Sequence, residues 1–86
     1  MQANSHKAVV WSQDNCSYCT SAKSMLIKRG YTVEERMIGE GHPYSKKDLI
    51  DAVPNARTVP QIFINSKYVG NFTDLNKYLN DNNKNT

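Results

Sequence analysis

Apolar and amphipathic stretches alternate along the first half of this chain. Residues 7–12 form an almost uninterrupted apolar run, which predicts a strand buried on both faces. Residues 20–29 repeat apolar side chains at helical spacing and are followed by Gly30, which suits the left-handed end of a helix. Residues 31–38 alternate more weakly and predict a second strand nearer the edge of the sheet. A strand–helix–strand unit of this length predicts a parallel pair of strands with a right-handed crossover.

The middle of the chain predicts a short helix and then a hairpin. Ser45 and Asp48 have the spacing of a capping box, and Pro54 ends the short helix that they open. Residues 59–64 and 67–69 predict two strands that are joined by a two-residue turn.

A last helix is predicted from Leu75, Tyr78 and Leu79, which share one face at helical spacing. The predicted order is therefore βαβαββα. This is an α/β fold in which a parallel pair and an antiparallel hairpin form a four-stranded mixed sheet, with helices on both faces. We expect a single domain over all 86 residues, with polar, frayed ends at residues 1–6 and 80–86.

The charge of the chain is mildly positive and scattered. The formal net charge is +3, from 11 Lys and Arg against 8 Asp and Glu. Since no basic run is interleaved with aromatic residues, we expect no nucleic-acid partner. The chain begins without an apolar leader, and no apolar run approaches the length of a membrane span, so we expect no membrane partner. One Cys-x-x-Cys pair without an export signal favours a reducing compartment, which is the cytoplasm, or the host cytoplasm for a phage protein.

The segment Cys16-Ser17-Tyr18-Cys19 contains both cysteines of the chain and lies between the first strand and the first helix. Cysteines at i and i+3 in the first turn of a helix face one way, with Cβ atoms about 5–6 Å apart, so that small adjustments allow a disulfide. The free N–H groups and partial positive charge of a helix N-terminus favour a thiolate. Because Cys19 lies on the apolar stripe, we expect Cys16 to be the more exposed, attacking thiol. Asp14 opposes the thiolate unless its side chain turns to solvent.

Two other uses of the cysteine pair compete with redox chemistry. A zinc site would need a second pair of ligands, and His6 and His42 lack ligand-like spacing to the cysteines. A structural disulfide that closes so short a loop would constrain the unfolded chain little. The arrangement of strand, turn, cysteine pair and helix therefore favours redox work. His42, in a glycine-rich loop, is expected to be exposed and to take no part in the chemistry.

Three stretches in this order resemble glutaredoxins, in particular the short ones of bacteria and their phages. They are the Cys-Ser-Tyr-Cys segment, residues 57–64 (Arg-Thr-Val-Pro-Gln-Ile-Phe-Ile) and residues 70–75 (Gly-Asn-Phe-Thr-Asp-Leu). A Tyr before the second cysteine is typical of glutaredoxins, and the sequence lacks the Trp-Cys-Gly-Pro-Cys signature of thioredoxins. The resemblance implies a thioredoxin fold. It also implies a glutathione-dependent thiol–disulfide oxidoreductase that reduces protein–glutathione mixed disulfides and protein disulfides.

The same resemblance implies roles for single residues. Cys16 matches the nucleophile, and Cys19 matches the resolving thiol. The residues that match the glutathione groove of the family are Tyr18, Thr58, Val59, a cis Pro60, Phe72, Thr73 and Asp74. The backbone of Val59 would pair with the cysteinyl unit of glutathione, and Asp74 would meet the amine of its γ-glutamyl end.

Two departures from the family pattern affect the site. Gln13 stands where the family often has a Lys, three residues before the first cysteine, so a positive charge near the thiolate and the glycine carboxylate of glutathione is missing. Lys47 or Arg57 could hold that carboxylate instead, and Lys47 is the preferred candidate. Ser17 replaces the usual Pro, and some glutaredoxins with Ser there dimerise around a [2Fe-2S] cluster that is ligated by glutathione and the first cysteine, here Cys16.

The sequence is compatible with three classes of function. The first is the glutathione-dependent enzyme, for which the resemblance implies ribonucleotide reductase as a protein client. The second is a thioredoxin-like electron donor that a reductase reduces, and the third is a carrier of a glutathione-ligated [2Fe-2S] cluster. Glutathione and proteins that are glutathionylated or contain disulfides are the expected partners, and we expect a monomer.

Overall fold

A computed structural model describes residues 6–84 of the chain. Its elements, in chain order, are β1 (Lys7–Ser12), α1 (Ser17–Lys28), β2 (Thr32–Met37), α2 (Lys46–Ala52), β3 (Gln61–Ile64), β4 (Lys67–Gly70) and α3 (Phe72–Lys84). The strands lie in the order β2-β1-β3-β4, with β1 and β2 parallel and the other two pairs antiparallel. The predicted βαβαββα order and mixed sheet are confirmed, with β2 at one edge. None of the helices within residues 6–84 is both long and apolar enough to cross a membrane.

The two faces of β1 contribute to different hydrophobic clusters. On one face, Ala8 packs with Leu26 of α1 and Leu75 of α3. On the other face, Trp11 packs with Leu49 of α2. Successive side chains of a strand point to opposite faces, so a central strand that is covered on both sides is apolar throughout. This explains the uninterrupted apolar run of β1.

Two helices begin with reciprocal caps. Before α2, Ser45 Oγ accepts from Asp48 N at 3.1 Å, and Asp48 Oδ2 accepts from Ser45 N at 2.8 Å, which confirms the predicted capping box. Before α3, Asn71 Oδ1 accepts from Asp74 N at 3.0 Å, and Asp74 Oδ2 accepts from Asn71 N at 3.2 Å. Each pair satisfies N–H groups that a helix start would leave without a partner.

The last helix differs from its prediction at two points. Leu75 and Leu79 are buried as expected, but Tyr78 is 37% exposed, because it lies at the flank of the face that the two leucines define. In addition, α3 continues through residues 80–84, which were predicted to fray. A polar helix end extends the hydrogen-bond ladder at little cost once the preceding turns are packed. The other predicted frayed residues, except His6, lie outside the described part of the chain.

Gly70 ends β4 at a sharp bend in front of α3. Its φ is +128°, and a Cβ atom at this position would lie 2.8 Å from Cβ and Cγ of Asp74. A real Cβ atom does not approach other heavy atoms so closely. The bend and the Asn71–Asp74 cap therefore require glycine.

A buried hydroxyl group connects β1 to the edge strand and to α1. Ser12 is fully buried, and its Oγ donates to Glu35 Oε2 at 2.6 Å. Lys23 Nζ donates to the same oxygen at 2.6 Å. The bond from Lys23, and to a smaller extent the bond from Ser12, holds the pKa of the Glu35 carboxyl below its ordinary value of 4.5. These hydrogen bonds link α1 and β1 to β2.

The substitution Gly70→Ala is expected to destabilise the fold by about 2–4 kcal/mol, because the new methyl group adds a clash with Asp74 to the strain of a positive φ. Gly30→Ala is the matched control. Gly30 also has a positive φ (+88°), but nothing in the described structure beyond its chain neighbours lies within 4 Å of its Cβ position. It should therefore lose only the backbone term of about 1–2 kcal/mol. Denaturant unfolding measures both losses, and equal losses would contradict the assigned clash.

The substitution Glu35→Gln is expected to lower the free energy of unfolding at pH 7 by about 1–2 kcal/mol, because it weakens the bonds from Lys23 and Ser12. The folded-state pKa of Glu35 is lowered, so this contribution is present above the unfolded-state pKa and is lost as the pH falls through the folded-state pKa. The difference between wild type and variant should therefore shrink below about pH 4.5. Urea unfolding from pH 7 to pH 3 tests this. Glu40→Gln, at an exposed position, is the control, and a pH-independent difference for Glu35→Gln would refute the ionic origin.

Candidate active site

Cys16 is both the N-cap of α1 and one half of a disulfide. Its backbone is extended (φ −119°, ψ 100°), and its Sγ accepts a hydrogen bond from Cys19 N at 3.1 Å. A disulfide joins Cys16 to Cys19, and their Cα atoms are 5.3 Å apart. Cys19 is 2% exposed and Cys16 is partly exposed, which confirms the predicted order of exposure. An incoming sulfur atom can therefore reach Cys16 more easily than Cys19.

The start of α1 gives the Cys16 sulfur its electrostatic setting. Sγ lies at the positive end of the helix, and the N–H of Cys19 favours a thiolate over a thiol once the disulfide is reduced. Asn15, with φ 57°, turns the chain into the helix immediately before Cys16. Asn tolerates this left-handed conformation better than most residues, because its short polar side chain bonds locally.

The loop before β3 brings a proline peptide bond to the cysteine pair. The bond between Val59 and Pro60 is cis. The carbonyl oxygen of Val59 lies 3.9 Å from Cys16 Sγ. The backbone of the loop that leads into β3 therefore lies beside the Cys16 sulfur.

Gln61 holds this loop, and the sequence analysis did not select it. Its side chain is buried; Nε2 donates to Thr58 O at 2.9 Å, and Oε1 accepts from the Tyr68 hydroxyl at 2.6 Å. Burial and the nearby Asp74 carboxylate raise the pKa of Tyr68 above 10.0, which keeps the hydroxyl a donor. A polar residue at the start of an apolar strand was the signal in the sequence that could have identified Gln61.

A first groove, the Phe72 groove, opens beside this loop. Its volume is about 420 Å³, and it is lined by Tyr18, Thr58, Val59, Pro60, Asn71, Phe72 and Thr73. All of these except Asn71 were predicted to bind glutathione. Tyr18 is 63% exposed, and its ring centroid lies 5.2 Å from that of Phe72. The predicted Asp74 does not line this groove; its carboxylate caps α3 through Asn71.

A second groove, the Arg57 groove, has a cationic and polar rim over an apolar floor. Its volume is about 230 Å³, with Gln13, Lys46, Arg57 and Thr58 at the polar positions and Ile38, Leu49, Ile50, Ala56 and Val59 at the apolar ones. Thr58 and Val59 line both this groove and the Phe72 groove. The two grooves therefore adjoin at Thr58 and Val59, and the Val59 carbonyl oxygen lies 3.9 Å from Cys16 Sγ.

Lys46, rather than the predicted Lys47, lies in the Arg57 groove. Lys47 does not line the groove, and its Nζ lies 3.2 Å from Asp51 Oδ2. Lys46 precedes Leu49 by three positions and Ile50 by four, so it shares their helix face. The helical period of α2 therefore points to Lys46 as well as to the predicted Lys47.

A third space, the Glu35 cavity, reaches the disulfide from the side of β2. Its volume is about 570 Å³, and its lining includes both cysteines, Gln13, Asp14, Lys23 and Glu35. The Lys23–Glu35 ion pair places one cation and one anion there, and Asp14 adds a second carboxylate. This side of the disulfide is therefore less cationic than the Arg57 groove.

His42 is less exposed than predicted, and it contacts Asp14. Its side chain is 25% exposed, and Nε2 lies 3.1 Å from both Oδ1 and Oδ2 of Asp14. The Asp14 side chain is 68% exposed. The Asp14 carboxylate is therefore in contact with solvent as well as with His42.

Within residues 6–84, no three His, Cys, Asp or Glu side chains are grouped so that they could hold a metal ion. Cys16 is the one ligand that this chain would give to a glutathione-ligated [2Fe-2S] cluster. The remaining ligands would come from glutathione and a second copy, so the residues of a single chain do not form a cluster site.

Comparison with known proteins agrees with this geometry. The family model for glutaredoxin matches residues 8–69. Glutaredoxin-C4 of Arabidopsis thaliana is 38% identical over 74 residues, which cover 83% of this chain, and the chain spans 53% of the length of that relative. The crystal structure of glutaredoxin 1 from Francisella tularensis, complexed with cacodylate, has a TM-score of 0.73 and 26% identity, and the match covers 93% of this chain and 98% of that one.

The crystal structure of a buckwheat glutaredoxin–glutathione complex is also similar, with a TM-score of 0.68 and 26% identity over 93% of this chain and 74% of that one. The four-stranded mixed sheet with its three described helices has the thioredoxin fold of these structures. The match extends from β1 through β4 and includes the cysteine pair at the head of α1. The chain therefore belongs to the glutaredoxin family.

Proposed function

We propose that this chain is a glutathione-dependent thiol–disulfide oxidoreductase that reduces protein–glutathione mixed disulfides and protein disulfides. One observation carries the proposal. The sulfur at the N-terminus of α1 lies 3.9 Å from the carbonyl oxygen of Val59, a residue that lines both the Phe72 groove and the Arg57 groove. An extended tripeptide on the Val59 backbone would place its central cysteine beside Cys16 and one end in each groove.

The chemistry is a series of exchanges in which atoms and electrons balance. The Cys16 thiolate attacks the glutathione sulfur of a mixed disulfide, a Cys16–glutathione bond forms, and the protein sulfur leaves as a thiolate that takes up a proton. A second glutathione thiolate attacks the bound glutathione sulfur, which releases oxidised glutathione and restores the Cys16 thiolate. With a protein disulfide, the Cys16 thiolate attacks one client sulfur, and the other client sulfur leaves as a thiolate that takes up a proton. The Cys19 thiol then loses its proton and attacks the Cys16 sulfur of this mixed disulfide, which breaks the bond to the client, releases the second client thiolate and gives the Cys16–Cys19 disulfide. Two glutathione molecules then reduce that disulfide.

The Phe72 groove is proposed to hold the γ-glutamyl end of glutathione. Phe72 and Thr73 begin α3, where free N–H groups and the helix dipole favour an anionic carboxylate. Asp74 lies in the same first turn and is proposed to attract the amine. The similarity to the buckwheat glutaredoxin–glutathione complex supports glutathione as the ligand.

The Arg57 groove is proposed to hold the glycine carboxylate. Arg57 and Lys46 provide its positive charge, and Gln13 adds an amide donor. This proposal puts Lys46 in the place for which Lys47 was the preferred candidate, because Lys47 is outside the groove and pairs with Asp51.

The protein client, the cellular compartment and the oligomeric state are proposed from the sequence. A disulfide-bearing enzyme such as ribonucleotide reductase is proposed as a client, with the family resemblance as its support. A reducing compartment such as the cytoplasm is proposed from the cysteine usage, and a monomer is proposed as the acting species.

The substitution Cys16→Ser is expected to abolish reduction of a glutathionylated peptide, because the attacking sulfur is lost. Cys19→Ser should keep at least about half of that rate, since glutathione itself completes this cycle, but should reduce a protein disulfide at least about tenfold more slowly. Oxidation of NADPH in the presence of glutathione and glutathione reductase measures each rate. Turnover by the Cys16 variant would contradict the assignment of the nucleophile. Wild-type turnover with thioredoxin reductase but not with glutathione would favour the thioredoxin-like alternative.

The substitutions Lys46→Ala and Arg57→Ala are each expected to raise the KM for the glutathionylated peptide about threefold to tenfold with a smaller change in kcat, because a charged contact to the glycine carboxylate is removed. Lys47→Ala is the matched control on the same helix and should change KM less than about twofold. Steady-state kinetics at fixed ionic strength distinguish the variants. A larger effect for Lys47→Ala than for Lys46→Ala would support the candidate preferred from the sequence.

A further inference from the structure

The turn that precedes the attacking cysteine carries a single charge, and that charge is negative. In the turn formed by Gln13, Asp14 and Asn15, only Asp14 has an acidic side chain, and it lies two residues before Cys16. Asp14 and Cys16 line the same Glu35 cavity. A carboxylate close to a thiolate raises the free energy of that thiolate. Where the Asp14 side chain points is therefore relevant to the reactivity of Cys16.

The Asp14 carboxylate is held by a residue from a distant part of the sequence. His42 lies in the loop between β2 and α2, and its Nε2 is 3.1 Å from each carboxylate oxygen of Asp14. With the proton on Nε2, the ring donates to the carboxylate in both the neutral and the charged form of the imidazole. This contact joins the loop after β2 to the turn after β1.

Backbone contacts hold the His42 loop in place. Gly39 N donates to Tyr44 O at 3.0 Å, and His42 N donates to Gly39 O at 3.1 Å. Ile38 and Tyr44 form a β-bridge, and the Tyr44 ring packs edge-on against buried Trp11 with centroids 5.2 Å apart. The imidazole is thus presented to Asp14 by a loop that is anchored at both ends.

We propose that His42 is a positioning residue for the thiol–disulfide reaction. By holding the Asp14 carboxylate toward solvent, it keeps that charge away from Cys16 Sγ, so the N-terminus of α1 stabilises the thiolate with less opposition. The other charged groups around the site do not supply this effect. His42 also lowers the pKa of the Glu35 carboxyl, but Glu35 is bonded to Lys23, and Arg57 lies in the groove proposed for glutathione. The proposal depends on the proposed function only in taking Cys16 as the attacking sulfur.

A double-mutant cycle between His42 and Asp14 tests the proposal in the reduced Cys19→Ser protein, where Cys16 is the one remaining thiol. The substitution His42→Leu is expected to slow alkylation of Cys16 by iodoacetamide near pH 6 about twofold to threefold, and to raise the midpoint of the thiolate absorbance at 240 nm. His42→Gln, which keeps a side-chain donor, should recover at least half of the lost rate. In an Asp14→Asn background, His42→Leu should have no effect on either readout.

Each outcome of the cycle supports or overturns the proposal. The same slowing in the Asp14→Asn background would show that His42 acts on the loop and not through Asp14. No slowing in any background would show that the contact is without consequence. His42→Asn, which is too short to reach Asp14, should match His42→Leu, and circular dichroism confirms that each variant is folded. Because alkylation needs no glutathione, this result is independent of whether the chain turns over a glutathionylated substrate.

Discussion

The hydrogen bond from Cys19 N–H to Cys16 Sγ is the contact on which the rest of the site depends. The N-cap of a helix is usually an oxygen of Ser, Thr, Asp or Asn, and here a sulfur takes that place. The atom that begins α1 is therefore also the atom that reacts. A thiolate is a stronger acceptor than a thiol or a disulfide sulfur, so the needs of the helix start and of the nucleophile coincide. Both are met most fully when Cys16 is reduced and ionised.

The sheet register brings the other parts of the site to this sulfur. β1 and β3 pair so that Trp11 lies opposite Gln61, which places the Val59–Pro60 peptide at the end of β1, where the chain enters the cysteine turn. β1 and β2 pair so that Ser12 lies opposite Met37, which brings the end of β2 to the same edge. A slip of one residue in either pairing would turn every side chain of the strand to the other face. The buried faces of the sheet therefore protect the geometry of the site as well as the stability of the fold.

The sequence predicted the features that are set within single helices and strands. It missed the contacts that depend on how separate elements are oriented toward each other. The capping box of Ser45, the burial of Cys19 and the parallel pair follow from spacing and periodicity, which are properties of single elements. The contact of His42 with Asp14 joins residues 28 positions apart, and no local pattern reports it. The position of Lys46 could be predicted only in part. The face of α2 on which it lies follows from the helical period, but which groove that face meets depends on how α2 packs against the sheet.

Charge is distributed unevenly around the attacking sulfur, and this affects which partner can approach from which side. Arg57 and Lys46 leave one groove cationic, whereas Lys23 and Glu35 neutralise each other in the Glu35 cavity. An anionic tripeptide is attracted to the first side, because a cleft lined by one sign of charge raises the local concentration of the opposite sign. The Glu35 cavity, which both cysteines line, has the two carboxylates of Asp14 and Glu35 against the one ammonium group of Lys23. The two sides of the Cys16 sulfur therefore differ in the sign of their charge.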